Sequence, residues 1–215
     1  MLLCVGVSLA LWFVVFASSS AIAGAASKGL GRATVAGAVS QLCFAGLSLL
    51  VWSAAGAELS ALSRLPDAAL AAEAVLASLV VGFLAAFLTY KAQKGAEFEP
   101  PFAPKNAAEM VVMGLVLAPV GEEMLFRGLL ESYLLACAPA LLAIFLPAVL
   151  FALIHLVPFR KAPGRVRSCV VAAAFVLGLM AGYYRAAFGS LLLAVLVHAT
   201  FNGAGIVLRS LAPKA

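Results

Sequence analysis

Apolar positions along this chain fall into long runs, and polar positions collect between them. A helix needs roughly 20 apolar residues to cross a bilayer, and seven stretches meet or approach that length: 1–26, 33–57, 68–90, 107–137, 138–157, 168–184 and 190–208. A polar connector over 91–106, KAQKGAEFEPPFAPKN, carries three prolines and mixed charges and reads as a loop between the third and fourth runs. A basic stretch beginning at Pro158, PFRKAPGRVR, separates the fifth from the sixth. The short alternating segments of a membrane barrel are absent. The pattern therefore predicts an all-α, polytopic transmembrane bundle of seven spans. It divides into 1–106, three spans plus the connector, and 107–215, the helical core that holds the chain's unusual polar residues.

Composition agrees. Hydrophobic residues make up 65% of the 215 and charged residues 11%, against about half and about a quarter in soluble domains. Net charge is +5, but the basic residues sit in short connections, which points to membrane orientation and not to nucleic acid. Eleven Lys and Arg fall in the connections after spans one, three and five and in the C-terminal tail. Two, Arg64 and Arg185, fall in the others, with Arg127 inside a span. The positive-inside rule places the N-terminus outside and the C-terminus in the cytoplasm. Ala21-Ile22-Ala23 resembles a signal cleavage site, yet no basic region precedes it, so a retained first helix is expected. Cys4, Cys43, Cys137 and Cys169 are scattered without a CxxC and read as small apolar packing residues.

Ionisable residues inside such runs usually face a bundle interior and mark function. The fourth run contains GEEMLFRG, residues 121–128, with Glu122, Glu123 and Arg127. Glu109 and Glu131 lie near its ends and are placed to reach the interface. Both histidines of the chain, His155 and His198, lie in predicted spans, and Asn202 follows His198 by one turn. Glu123 and Arg127 are four apart and share a helix face. Glu122 is rotated by about 100° from Glu123 and points elsewhere. Pro119 removes a backbone donor just upstream and is expected to kink the helix. If runs four and five form a hairpin turning at Ala138-Pro139, Glu122 and His155 are equidistant from the turn and share a depth. His198 and Asn202 present to one face but sit a turn or two nearer the outside.

A carboxylate beside an imidazole can polarise water as a general base, and a second imidazole with an amide can donate to a developing oxyanion. That is the equipment for peptide hydrolysis without a covalent intermediate. The plainer readings are an interfacial Glu122, a His155 bonded to a backbone carbonyl, and His198 with Asn202 as interhelical glue. Glu123–Arg127 can be a purely structural pair, and Phe151 is expected to pack.

Glu122-Glu123-Met-Leu-Phe-Arg127, Phe151-Ala-Leu-Ile-His155 and His198-Ala-Thr-Phe-Asn202 resemble, in order, the EExxxR, FxxxH and HxxxN motifs of the CPBP family, the CAAX-protease and bacteriocin-processing (Abi) group of intramembrane glutamic endopeptidases. The resemblance spans about 107–205. It implies that Glu122 activates water with His155, that His198 and Asn202 form the oxyanion site, and that Glu123 and Arg127 support them. It implies no cofactor and no metal. The substrate would be a membrane-anchored or lipidated protein or peptide, cut near its C-terminus within the lipid bilayer, as in CAAX processing or in removal of a bacterial C-terminal sorting signal. Small size and alanine-rich composition resemble a bacterial member, hence an inner-membrane location. Rival proteases fit poorly: Asp67 is the single aspartate, and GxSxG and HExxH are absent. A zinc set of Glu122, His155 and His198, a proton-coupled transporter, and a non-catalytic immunity or scaffold partner are the competing readings.

Overall fold

The computed structural model describes residues 1–30, 33–54, 64–93, 98 and 106–211. Among the described residues there are seven helices and no strand. They are α1 (Leu2–Leu30), α2 (Ala33–Ala54), α3 (Ala68–Gln93), α4 (residues 107–135), α5 (Ala140–Ile154), α6 (Gly164–Phe188) and α7 (Leu191–Leu211). The connector expected over 91–106 lies largely outside the described residues. Five helices, α1, α2, α3, α6 and α7, are long and apolar enough to cross a membrane, and the protein is a multi-pass membrane bundle.

The two remaining helices depart from simple spans, and both carry site residues. The α4 rod changes winding along its length. It is α-helical over Ala107–Val112, π-helical over Met113–Leu117, α-helical over Ala118–Glu123, π-helical over Met124–Glu131 and α-helical over Ser132–Leu135. Pro119 has no N–H to offer the carbonyl one turn back, and the helix widens immediately before it. The distortion expected at Pro119 thus takes the form of a π-helical stretch, a feature that recurs at functional sites. Asn106 opens the rod by accepting a hydrogen bond from the Glu109 backbone N–H at 2.8 Å.

The run 138–157 predicts a fifth span, but α5 holds 15 residues. At 1.5 Å per residue that is about 22 Å, short of a hydrocarbon core of about 30 Å. Pro139 delays its start, and Pro158 bars the residues before it from continuing as a helix. The chain leaves α5 through successive tight turns from Ala152 to Ala162.

Aromatic rings tie the N-terminal pair to this core. Trp12 of α1 lies 5.6 Å from Phe126 of α4, and Phe126 lies 5.2 Å from Phe151 of α5. Phe16 of α1 stacks on Phe44 of α2 at 5.8 Å. On the other side α5 lies against α6 at Gly178, where a Cβ would come within 2.9 Å of Ala148 Cα. That is the close helix contact expected of the small residues there. Helix α6 ends at Gly189, whose φ of 66° is left-handed. Ser190 then starts α7, its Oγ accepting from the Leu193 N–H at 3.3 Å.

Two sequence expectations are corrected. Cys4 and Cys137 form a disulfide, while Cys43 and Cys169 are free. The bonded pair is 133 residues apart in sequence, so no local spacing announces it. It forms because the start of α1 packs at the α4–α5 turn, bringing the two Cα atoms to 6.4 Å. Arg185 was counted among connection charges, but it lies within α6, 8% exposed, and donates to Ser132 Oγ at 3.1 Å. Its removal from that count leaves Arg64 as the one basic residue in the connections opposite the basic ones.

Because the disulfide closes so long a loop, Cys137→Ser is expected to destabilise the detergent-solubilised protein by about 2–4 kcal/mol. Thermal unfolding with and without reductant measures this: reductant should lower the midpoint of the unsubstituted protein and leave that of the variant unchanged.

Candidate active site

The site forms where α4 faces α2, α5, α6 and α7. Its foundation is a charge pair that water does not reach. Glu123 and Arg127, one helical turn apart on α4, are both 0% exposed, with Arg127 Nη1 3.2 Å from each carboxylate oxygen of Glu123. The guanidinium also donates from Nη2 to the Gly178 carbonyl of α6 at 2.7 Å. Its Cζ stands 5.1 Å from the centre of the Phe151 ring, within cation–π range. Opposite charge, a carbonyl and a ring face together replace the hydration the guanidinium gives up.

Glu131 extends this line. It was expected to reach the interface, and instead it is fully buried, its Oε2 3.9 Å from Arg127 Nε. Neither of its oxygens accepts a hydrogen bond. The cause is the packing of α6: Gly182 leaves room for the carboxylate, since a Cβ there would meet Glu131 Oε2 at 2.9 Å.

His198 of α7 joins the two acids. Its Nδ1 lies 2.7 Å from Glu123 Oε1 and its Nε2 3.8 Å from Glu122 Oε2. Donation from Nδ1 to a carboxylate already paired with Arg127 fixes the ring orientation and leaves Nε2 turned toward Glu122. The two carboxylates, a residue apart and splayed around the helix, are thus bridged by a single imidazole. The offset in depth expected for His198 does not separate it from them.

Glu122 is 13% exposed. Its Oε1 accepts from the side-chain amide of Gln41 on α2 at 2.9 Å. No hydrogen bond joins Glu122 to His155. His155 caps the C-terminus of α5, and its Nδ1 lies 2.7 Å from the Phe151 carbonyl. An N–H there satisfies a last-turn carbonyl at a helix end well inside a membrane-thick bundle and leaves Nε2 as an acceptor. Both histidines sit edge-on to Phe151, at 4.8 Å for His155 and 5.7 Å for His198. Phe151 is therefore a packing residue, as expected, and also the partition between the two imidazoles. Asn202 of α7 donates its amide to the Gly114 carbonyl at 2.9 Å, in the first π-helical stretch of α4.

The structure therefore brings Glu122, Glu123, Arg127 and His198 into one polar cluster. His155 borders it across Phe151, and Asn202 lies one turn beyond His198. Among the described residues no set of three or more His, Cys, Asp or Glu side chains is arranged to hold a metal ion. Sequence reasoning missed Gln41. A signal was present: of the four carboxamide residues in the chain, Gln41 and Asn202 alone fall inside predicted spans.

Carboxylates, imidazoles and an arginine thus converge among the helices of a multi-pass membrane bundle. Residues 104–204 match the family described as type II CAAX prenyl endopeptidase Rce1-like. The match covers a little under half of the chain and contains the three motifs in order. The matched region is thus similar to a membrane endopeptidase of the family that the three motifs resemble. No curated protein and no solved structure matches the chain.

The buried pair yields a stability prediction. Arg127→Ala should destabilise the fold by about 3–5 kcal/mol, because it strands the buried Glu123 without its guanidinium partner. Replacing Glu123 and Arg127 together by Gln and Met should cost less than Arg127→Ala alone. Membrane abundance and thermal midpoints of the two variants would reveal the order.

Proposed function

We propose that this protein is an intramembrane endopeptidase of the glutamic type, cutting a peptide bond near the C-terminus of a membrane-anchored or lipidated protein. One observation carries the reading. Glu122 is a nearly buried carboxylate with one oxygen held by Gln41 and the other facing His198.

That arrangement leaves Oε2 as the oxygen able to take a proton from water. As the water oxygen bonds to the scissile carbonyl carbon, its proton passes to Glu122 and the carbonyl electron pair moves onto oxygen. Collapse of the tetrahedral intermediate breaks the C–N bond, and Glu122 returns the proton to the departing amine. The spacing argument gave His155 the place beside Glu122. The nearer imidazole is His198, which Glu123 holds at Nδ1; an Nε2–H on that ring would donate to the oxyanion. Asn202 has a second amide hydrogen beyond the one given to Gly114, and it is suited to the same oxyanion. His155, with Nε2 free to accept, is suited to the second hydrogen of the attacking water. Few water dipoles compete inside the bundle, which strengthens each contact.

Orientation and location belong to the same reading. The basic connections favour an N-terminus outside and a C-terminus in the cytoplasm. The Cys4–Cys137 disulfide lies at the end of the bundle this orientation puts outside, where oxidising conditions let such bonds persist. With the alanine-rich composition, this supports a bacterial inner membrane.

The test uses purified protein in detergent with a fluorogenic farnesylated CAAX peptide, alongside a comparison of membrane-protein C-termini in cells. Glu122→Ala should abolish cleavage with an unchanged thermal midpoint, and cells carrying it should retain a tail on the natural substrate. Asn202→Ala should lower turnover by about 10²–10³-fold, and dialysis against a strong chelator should leave the rate unchanged. A folded Glu122→Ala protein with full activity would remove the carboxylate from the mechanism.

A further inference from the structure

Helix α2 lies outside the matched region 104–204, yet among the described residues it supplies the one hydrogen-bond donor to Glu122. We infer that Gln41 is a positioning residue for the proposed hydrolysis: its amide holds Glu122 Oε1, so that Oε2 faces His198 and the reacting water. The inference rests on the reading of Glu122 as general base.

Three independent features support it. The first is the contact itself, Gln41 Nε2 to Glu122 Oε1 at 2.9 Å, between residues 81 apart in sequence. The second is the fit of the helices. A Cβ on Gly121 would come within 2.5 Å of both the backbone oxygen and the Oε1 of Gln41. Glycine next to Glu122 is therefore what allows α2 to approach closely enough for the amide to reach the carboxylate. The third is the expense of the arrangement. Gln41 Oε1 is buried without a hydrogen-bond partner, an arrangement that costs stability. If α2 only needed to pack at this point, a methionine or leucine would fill the space without leaving an acceptor unsatisfied. The amide is explained by what its nitrogen does.

A carboxylate can rotate about its terminal torsion, which is broad and roughly two-fold. Arg127, the nearest cation on the same helix, is committed to Glu123, Glu131 and Gly178. Over Ala33–Ala54, α2 has no charged residue to offer Glu122. Without Gln41 the orientation of the base would depend on His198 alone, at 3.8 Å. Loss of a hydrogen bond to a charged group corresponds to roughly 10- to 100-fold, and here the loss should fall on the chemical step.

The chain has two glutamines, Gln41 and Gln93, so side-chain ¹⁵N labelling of glutamine gives two NH₂ signals, assigned by loss of one in Gln41→Met. In the detergent-solubilised full-length protein, Glu122→Ala should shift the Gln41 signals and leave those of Gln93 in place. With the farnesylated CAAX peptide as probe, Gln41→Met should lower kcat about 10- to 100-fold while KM changes by less than about twofold, at an unchanged thermal midpoint. Gln41 signals indifferent to Glu122→Ala, or a Gln41→Met protein with full kcat, would overturn the inference. An unsubstituted protein inert toward the peptide would tell against the proposed hydrolysis of that substrate. The NMR comparison would then decide the Gln41–Glu122 contact by itself.

Discussion

The ion pair between Glu123 and Arg127 is the constraint on which the rest of the site depends. Both partners are fully buried. An isolated charge in such surroundings is costly, and a pair gains from further partners for its donors and acceptors. Those remaining valences fix the neighbouring helices. One guanidinium nitrogen binds the Gly178 carbonyl of α6, the guanidinium plane stands near Phe151 of α5, and a Glu123 oxygen receives His198 of α7. Glu122 follows Glu123's partner, because the imidazole anchored on Glu123 is the one that turns its other nitrogen toward Glu122. Satisfying a buried charge and assembling the proposed reactive site are here the same packing problem.

The same solvent logic accounts for the irregular backbone. A uniform α-helix commits most of its carbonyls to its own ladder, and a widened turn frees some of them for side chains. In α4, Asn202 binds the carbonyl of Gly114 in one π-helical stretch, and Ser132 Oγ binds that of Arg127 in the other, at 2.9 Å. At the end of α5, His155 binds the Phe151 carbonyl. Irregular backbone at membrane depth is tolerated where protein groups take up the freed valences. In these three places the partner is a side chain.

How far the sequence could be read follows from which of these features are local. Glu123 with Arg127, and His198 with Asn202, are one turn apart, so their shared faces were legible from spacing. The seven helices were legible from hydropathy. The pairing of Glu122 with His155 came from counting equal distances from a turn, which assumes two straight, uniform helices. Two π-helical stretches in α4 and an early end to α5 remove that assumption, and the imidazole found nearest Glu122 is His198. Arg185 and Glu131 lie close to the ends of their runs and read as near-surface, yet Gly182 leaves room for the Glu131 carboxylate and Ser132 accepts from the buried Arg185. Cys4 and Cys137 meet only because α1 crosses the α4–α5 turn, a contact that no short-range pattern encodes.

Gln41 is the most instructive of these. A search of apolar runs for titratable residues passes over a neutral amide, although an amide can be as decisive for a carboxylate as a second charge. Its position also bears on what makes the site complete. The stretch 104–204 contains all three motifs, and by itself it presents Glu122 to His198 with no donor on the other oxygen. Helix α2 supplies that donor, and α1 holds α2 in place through Phe16 and Phe44 and reaches the core through Trp12 and Phe126. The disulfide fixes the far end of α1 to the α4–α5 turn. A chain of contacts thus runs from the covalent link at one end of the bundle, down α1, across to α2 and into the carboxylate. The N-terminal helices are therefore the wall against which the proposed base is held, as well as apolar filling around the core.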